Sequence, residues 1–158
     1  MKKRMIGLLF FVISLLGVMI MLYINAREPF EKAKDYAIQS ALEKTEIDTV
    51  LETYIYHGTQ SYISVVGENK QNEKLIAFVP EDKNKEIIIQ NWANGTTEKE
   101  AYNILANDKN VKELLSIGLG LEKGRPIWEL AYLDEEDDLN YYYIYFETGE
   151  WSRTIENI

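Results

Sequence analysis

The chain has 158 residues, 26 of them acidic and 17 basic, with one histidine and no cysteine, for a formal charge of −9. Thiol catalysis, zinc ribbons and iron–sulfur chemistry are excluded, and the lone His57 excludes a multi-histidine metal site and any Ser-His-Asp triad built elsewhere. Beyond the apolar stretch described next, 14 basic residues face all 26 acidic ones, a formal charge of −12. A surface of that sign is repelled by phosphate backbones and anionic headgroups, which argues against nucleic-acid binding.

Met5 to Ile24 contains no charged residue. As a helix it covers roughly 30 Å, the thickness of a hydrocarbon core. The run is longer than the roughly 7–15 residue apolar core of a secretory signal, and bulky Ile24 stands where a cut after Ala26 would need a small side chain. The stretch therefore reads as an uncleaved anchor, with residues 1–27 forming a cytoplasmic tip and a single transmembrane helix. Lys2, Lys3 and Arg4 place the N-terminus inside, so the remainder is expected to be extracytoplasmic at the cell membrane.

Asn25–Pro29 reads as a short spacer, reaching at most about 18 Å when extended, with Pro29 at the first position of a new helix. From Phe30 to Lys44 the apolar residues Phe30, Ala33, Ala37, Ile38, Ala41 and Leu42 recur at helical spacing. Four short runs rich in Val, Ile and Tyr follow as strands, at Thr49–His57, Ser61–Gly67, Leu75–Val79 and Glu86–Gln90. Asn94-Gly95 breaks the pattern and closes a first repeat over residues 28–94.

The second repeat, 95–158, follows the same plan. Thr97 and Glu100 form a capping box before the stripe Ala101, Ile104 and Leu105. Strands are predicted at Lys112–Glu122, Pro126–Leu133, Leu139–Glu147 and Trp151–Glu156, with Gly149 in a left-handed turn between the last two. Matching Gly58 with Gly124 and Tyr62 with Trp128 gives an offset of 66 residues, and Phe78 with Tyr145 one of 67. The chain thus reads as α+β: an apolar helix, then an internal duplication of one helix packed on a four-stranded antiparallel sheet.

The stretches Thr97–Ile104, Pro126–Tyr132 and Tyr143–Trp151 resemble a PepSY-type repeat. With the single anchor and a more divergent first copy, the whole chain is similar to the TseB-like (YpmB-type) cell wall elongation regulators of Gram-positive bacteria. The second repeat carries the specific part of this resemblance. It implies two cystatin-like repeats, no enzymatic activity, and association with an elongation-phase penicillin-binding transpeptidase at the outer membrane face. Another use of PepSY repeats implies the alternative, a peptidase inhibitor or chaperone-like module acting on a secreted protease.

The residues themselves offer a few candidate sites. Strand alternation puts Trp128, Leu130 and Tyr132 on one face, toward the helix, with Glu129 toward water. Tyr142, Ile144 and Phe146 join them as structural core. Tyr141, Tyr143 and Tyr145 line the opposite face, and a tyrosine row makes a candidate partner-binding surface. Its competitor is packing against Ser116, Gly118 and Gly120 or between the repeats. Asp134–Asp138 lacks the glycine and alternating spacing of a calcium loop and reads as a solvated hairpin tip. No catalytic residue, cofactor, metal site or small-molecule substrate is expected; paired carboxylates of a wall hydrolase and a calcium sensor are weaker rivals.

Overall fold

The computed structural model describes residues 2–157, and side chains from residue 11 onward. It divides into two compact units, residues 1–35 and 36–158. Helix α1, Lys2–Lys44, runs through the boundary between them. The segment expected as a spacer is therefore helical, and Pro29 lies inside α1 rather than at the start of a new helix. Proline lacks an N–H, so the ladder bond to the Asn25 carbonyl is absent there. The flanking residues are good helix formers, and the Arg27–Glu31 and Glu28–Lys32 ion pairs at helical spacing bridge the gap. In the first unit the apolar residues from Phe11 to Ile24 are exposed, and this helix is long and apolar enough to cross a membrane.

In the second unit, β1 (Thr49–His57), β2 (Ser61–Glu68), β3 (Lys74–Pro80) and β4 (Ile88–Asn91) form an antiparallel sheet in chain order. A 3-10 turn at Trp92–Asn94 leads to α2, Glu98–Asp108, with the Thr97/Glu100 capping box in place. Then β5 (Glu113–Glu122), β6 (Arg125–Leu133), β7 (Leu139–Tyr145) and β8 (Trp151–Ile155) form a second sheet, again in chain order. The fold is α+β, two four-stranded sheets each with its helix. One face of the first sheet (Val65, Leu75, Ala77, Val79) closes on Ala37 and Ala41 of α1. Its other face (Tyr54, Tyr56, Tyr62, Val66, Ile76, Phe78) enters a larger core with Ala101, Leu105, Trp128, Leu130, Ile144 and Phe146 of the second repeat. The two sheets thus share one core.

The duplication is visible in the ladders, at a different register from that expected. The first strand of each repeat skips one residue, Leu51 between Val50 and Glu52 and Leu115 between Leu114 and Ser116. Both leucines sit at a bulge and half exposed, 64 residues apart. Past the first hairpin the offset becomes 65, pairing Ile63 with Trp128 and Phe78 with Tyr143 in role. The expected match of Tyr62 with Trp128 is corrected: Tyr62 faces the other sheet, whereas Ile63 and Trp128 each face their own helix side. Gly58 and Gly124 are likewise not equivalent. Lys123 and Gly124 both have positive φ, as a two-residue hairpin turn of the mirror-image type requires, and Gly58 does not.

Candidate functional site

The core of the second repeat is an aromatic cluster assembled from both sheets. Trp128 is fully buried and meets Tyr54 edge-on at 5.3 Å and Trp92 at 6.0 Å, with Phe146 tilted at 6.1 Å. Its indole N–H donates to the Thr96 hydroxyl at 3.1 Å. Leu130, Tyr132, Tyr142, Ile144 and Phe146 are buried with it. Burial first, then the neighbouring Asp108 carboxylate, pushes the Tyr142 phenol up to about 12.

The tyrosine face of β7 is not the open row that alternation alone suggests. Tyr143 is 5% exposed, while Tyr141 and Tyr145 are half-buried. The Tyr143 hydroxyl donates to Glu129 Oε2 at 2.7 Å, and the Arg153 guanidinium lies 4.0 Å above its ring. Arg153 in turn pairs with Glu122, and Arg125 stacks 3.6 Å above Tyr145. Glu129, expected to face water, is therefore held in a half-buried polar cluster. Desolvation raises its pKa, against the pull of the Tyr143 hydrogen bond and the Arg153 charge. Burial likewise raises the Tyr143 phenol, reinforced by the bond to Glu129. Tyr56 from the first sheet reaches the same cluster, fully buried and with no hydrogen-bond partner for its hydroxyl among the described residues. The alternation rule places these residues on one face correctly but cannot show that the first sheet covers it.

Two surface hollows flank these features. One is lined by Gln60, Ser61, Pro80, Glu81, Asp82 and Lys85. The other, ≈ 600 Å³, lies between the end of α2 and β8 and is lined by Asp108, Lys109, Tyr142, Trp151, Thr154 and Glu156. Neither includes Glu122 or Glu129. Among the described residues no group of His, Asp or Glu side chains is arranged to hold a metal. In the acidic hairpin, the Asp134 carboxylate accepts from the backbone N–H groups of Glu136 and Asp138 and from Asn140. Its oxygens organise the turn. Trp151 is 58% exposed, with its indole N–H on the Thr154 hydroxyl at 2.9 Å. A tryptophan opening a last, edge strand is itself a signal of a contact surface.

Comparison with known proteins adds three findings. The family model for the "Cell wall elongation regulator TseB-like domain" matches residues 36–80. That match falls on the first repeat, although the motifs quoted above as specific lie in the second. The chain is 27% identical over 157 residues, 98% of each chain, to the "Probable cell wall elongation regulator TseB" of Bacillus subtilis (strain 168). The solved structure of "YpmB protein from Bacillus subtilis" superposes with a TM-score of 0.69 at 27% identity, covering 77% of this chain and 95% of that one.

Proposed function

From its likeness to the TseB protein over nearly the whole chain, and to the YpmB structure over 77% of it, we propose that this protein is a membrane-anchored regulator of cell wall elongation that acts without catalysis. The observation that carries this reading is the match to a probable elongation regulator over 98% of both chains. Three features support it. Helix α1 exposes a continuous apolar surface from Phe11 to Ile24, which a bilayer would cover. Lys2, Lys3 and Arg4 precede that surface and orient the folded unit outward. Glu129, whose pKa burial raises, is tied into a packed cluster with Tyr143 and lines neither of the two hollows described above.

The partner is the extracellular part of an elongation-phase penicillin-binding transpeptidase. Confinement of both proteins to one plane raises their effective concentration, so a modest contact suffices to bias the enzyme. Tyr141 and Tyr145, with part of each ring in solvent, contribute to that contact beside Arg125. The test is in-cell photo-crosslinking from position 145 of the full-length protein, combined with the cell elongation rate after depletion. A crosslink to a wall transpeptidase together with slowed or misdirected elongation supports the proposal. Normal elongation on depletion, or turnover of a wall substrate by the purified chain, overturns it.

A further inference from the structure

The chain's three tryptophans are placed differently. Trp92 and Trp128 meet at 6.0 Å where the two repeats share their core. Trp151 is 58% exposed, more than any other large apolar side chain described between residues 36 and 158. It is also held in place, because its indole N–H donates to the Thr154 hydroxyl at 2.9 Å. A ring fixed on a strand with most of its surface in water is suited to contact: it offers area at little entropic cost.

Trp151 lines the ≈ 600 Å³ hollow at the end of α2, a volume inside the roughly 300–1,000 Å³ of small-ligand clefts. The rest of that lining decides what fits. An anion is repelled by the unit's formal charge of −12, from 23 acidic and 11 basic residues over 36–158, and by the partial negative charge of a helix C-terminus. A cation meets Asp108 alone, since Glu156 is already bridged by Lys109 at 2.8 Å. An apolar segment finds one exposed ring and, around it, hydroxyl, carboxylate and ammonium groups.

The ligand that suits this lining is uncharged, with one flat apolar face and a rim of hydroxyls, which is the chemistry of a pyranose ring. We propose that the hollow between the end of α2 and β8 binds a neutral sugar chain. The C–H face of one sugar stacks on Trp151. Its hydroxyls donate to Asp108 and to the Glu156 end of the ion pair, and accept from the Lys109 end. Thr154, which accepts from the indole, has its own proton to donate to a sugar oxygen. The inference rests on the regulator reading for the ligand's source, the wall's glycan strand, on the side of the membrane to which that reading assigns the folded unit.

The test is titration calorimetry of the full-length chain, in a neutral detergent without a sugar headgroup, with a tetramer of N-acetylglucosamine and, separately, a tetramer of glucose. The N-acetylglucosamine tetramer is expected to bind, and its affinity to stay level as salt is raised, since a neutral ligand is not screened. Trp151→Ala and Asp108→Ala are each expected to weaken it by roughly tenfold, as loss of an anchor ring or a charge-assisted hydrogen bond does. Trp151→Tyr keeps a ring for stacking and is expected to retain most of the affinity. Near-ultraviolet dichroism checks that the variants keep the packed core. Absence of binding by either sugar, or equal binding by Trp151→Ala, overturns the proposal. Equal affinity for the glucose tetramer supports the sugar site and overturns its assignment to the wall strand. Failure to bind sugar, with slowed elongation in depleted cells, removes the site and leaves the regulator reading. Binding of the expected pattern with normal elongation on depletion leaves the site and removes that reading.

Discussion

Gly120 lies directly under the ring of Tyr56: a Cβ at this position would come within 2.2 Å of the tyrosine Cγ. One residue belongs to the second sheet and the other to the first, and Tyr56 is fully buried. The absent side chain is thus what allows the two sheets to interlock. Gly120→Ala is expected to destabilise the folded unit by about 1–3 kcal/mol, the usual cost of forcing atoms into a filled core. Urea unfolding of the full-length chain in micelles, followed by aromatic fluorescence, reads the shift. Gly17→Ala, with nothing within 4 Å, is the control that leaves the midpoint in place. An unmoved midpoint for Gly120→Ala would mean that the sheets slide apart freely.

Tyr54 and Trp128 test the same interlock by a different contact. Their rings meet edge-on at 5.3 Å across the two repeats. Trp128→Ala is expected to cost about 3–5 kcal/mol, as large-to-small changes of core aromatics do. A double-mutant cycle of Tyr54→Leu with Trp128→Phe should return a coupling of about 0.5–1.5 kcal/mol. A coupling of zero would show that each repeat is stabilised on its own, contrary to a shared core.

The plan of the fold was readable from spacing. Strand alternation puts Trp128, Leu130 and Tyr132 on one face and Glu129 on the other, and Thr97-x-x-Glu100 marks the start of α2, because both signals are local. The register of the duplication was not readable. Aromatic likeness draws Tyr62 onto Trp128, while the ladders pair Trp128 in role with Ile63, since one extra residue enters the second hairpin. The continuous α1 was hidden by Pro29, whose local preference for a helix start reads as a boundary although the helix runs on through it. Glu129 and Tyr143 were legible as neighbours on one face. Their burial was not, because Tyr56 comes from a strand distant in the chain and Arg153 from the neighbouring β8, and no periodicity within β6 or β7 records them.

Glu129 gives the protein a pH dependence of defined sign. Desolvation raises its folded pKa above the ordinary carboxylate value. A group of this kind binds more protons folded than unfolded between those two values, so stability falls as pH rises through that window. Glu129→Gln keeps an acceptor for the Tyr143 hydroxyl and removes the titration. The variant is expected to gain on the wild type as pH rises through the window and to lose that gain below the ordinary carboxylate value. Subtracting the two unfolding curves across the acid range isolates Glu129 from Glu100 and Asp134, whose pKa values are lowered and whose effects on stability have the opposite sign. A difference that stays constant with pH would place Glu129 in water after all.

The three tyrosines of β7 should separate into a structural member and two contact members. Tyr143 is buried and donates to Glu129, so Tyr143→Phe leaves that carboxylate short of a donor, at an expected cost of about 1–3 kcal/mol. Partner binding should be unchanged by it. Tyr141→Ser and Tyr145→Ser remove half-exposed rings and, at position 145, the stacking surface of Arg125. Co-purification of a wall transpeptidase from detergent is expected to fall for this pair while the unfolding midpoint moves less than for Tyr143→Phe. If instead Tyr143→Phe releases the partner at unchanged stability, the face opens in the complex, and the half-buried cluster of Glu122, Glu129 and Arg153 becomes part of the contact.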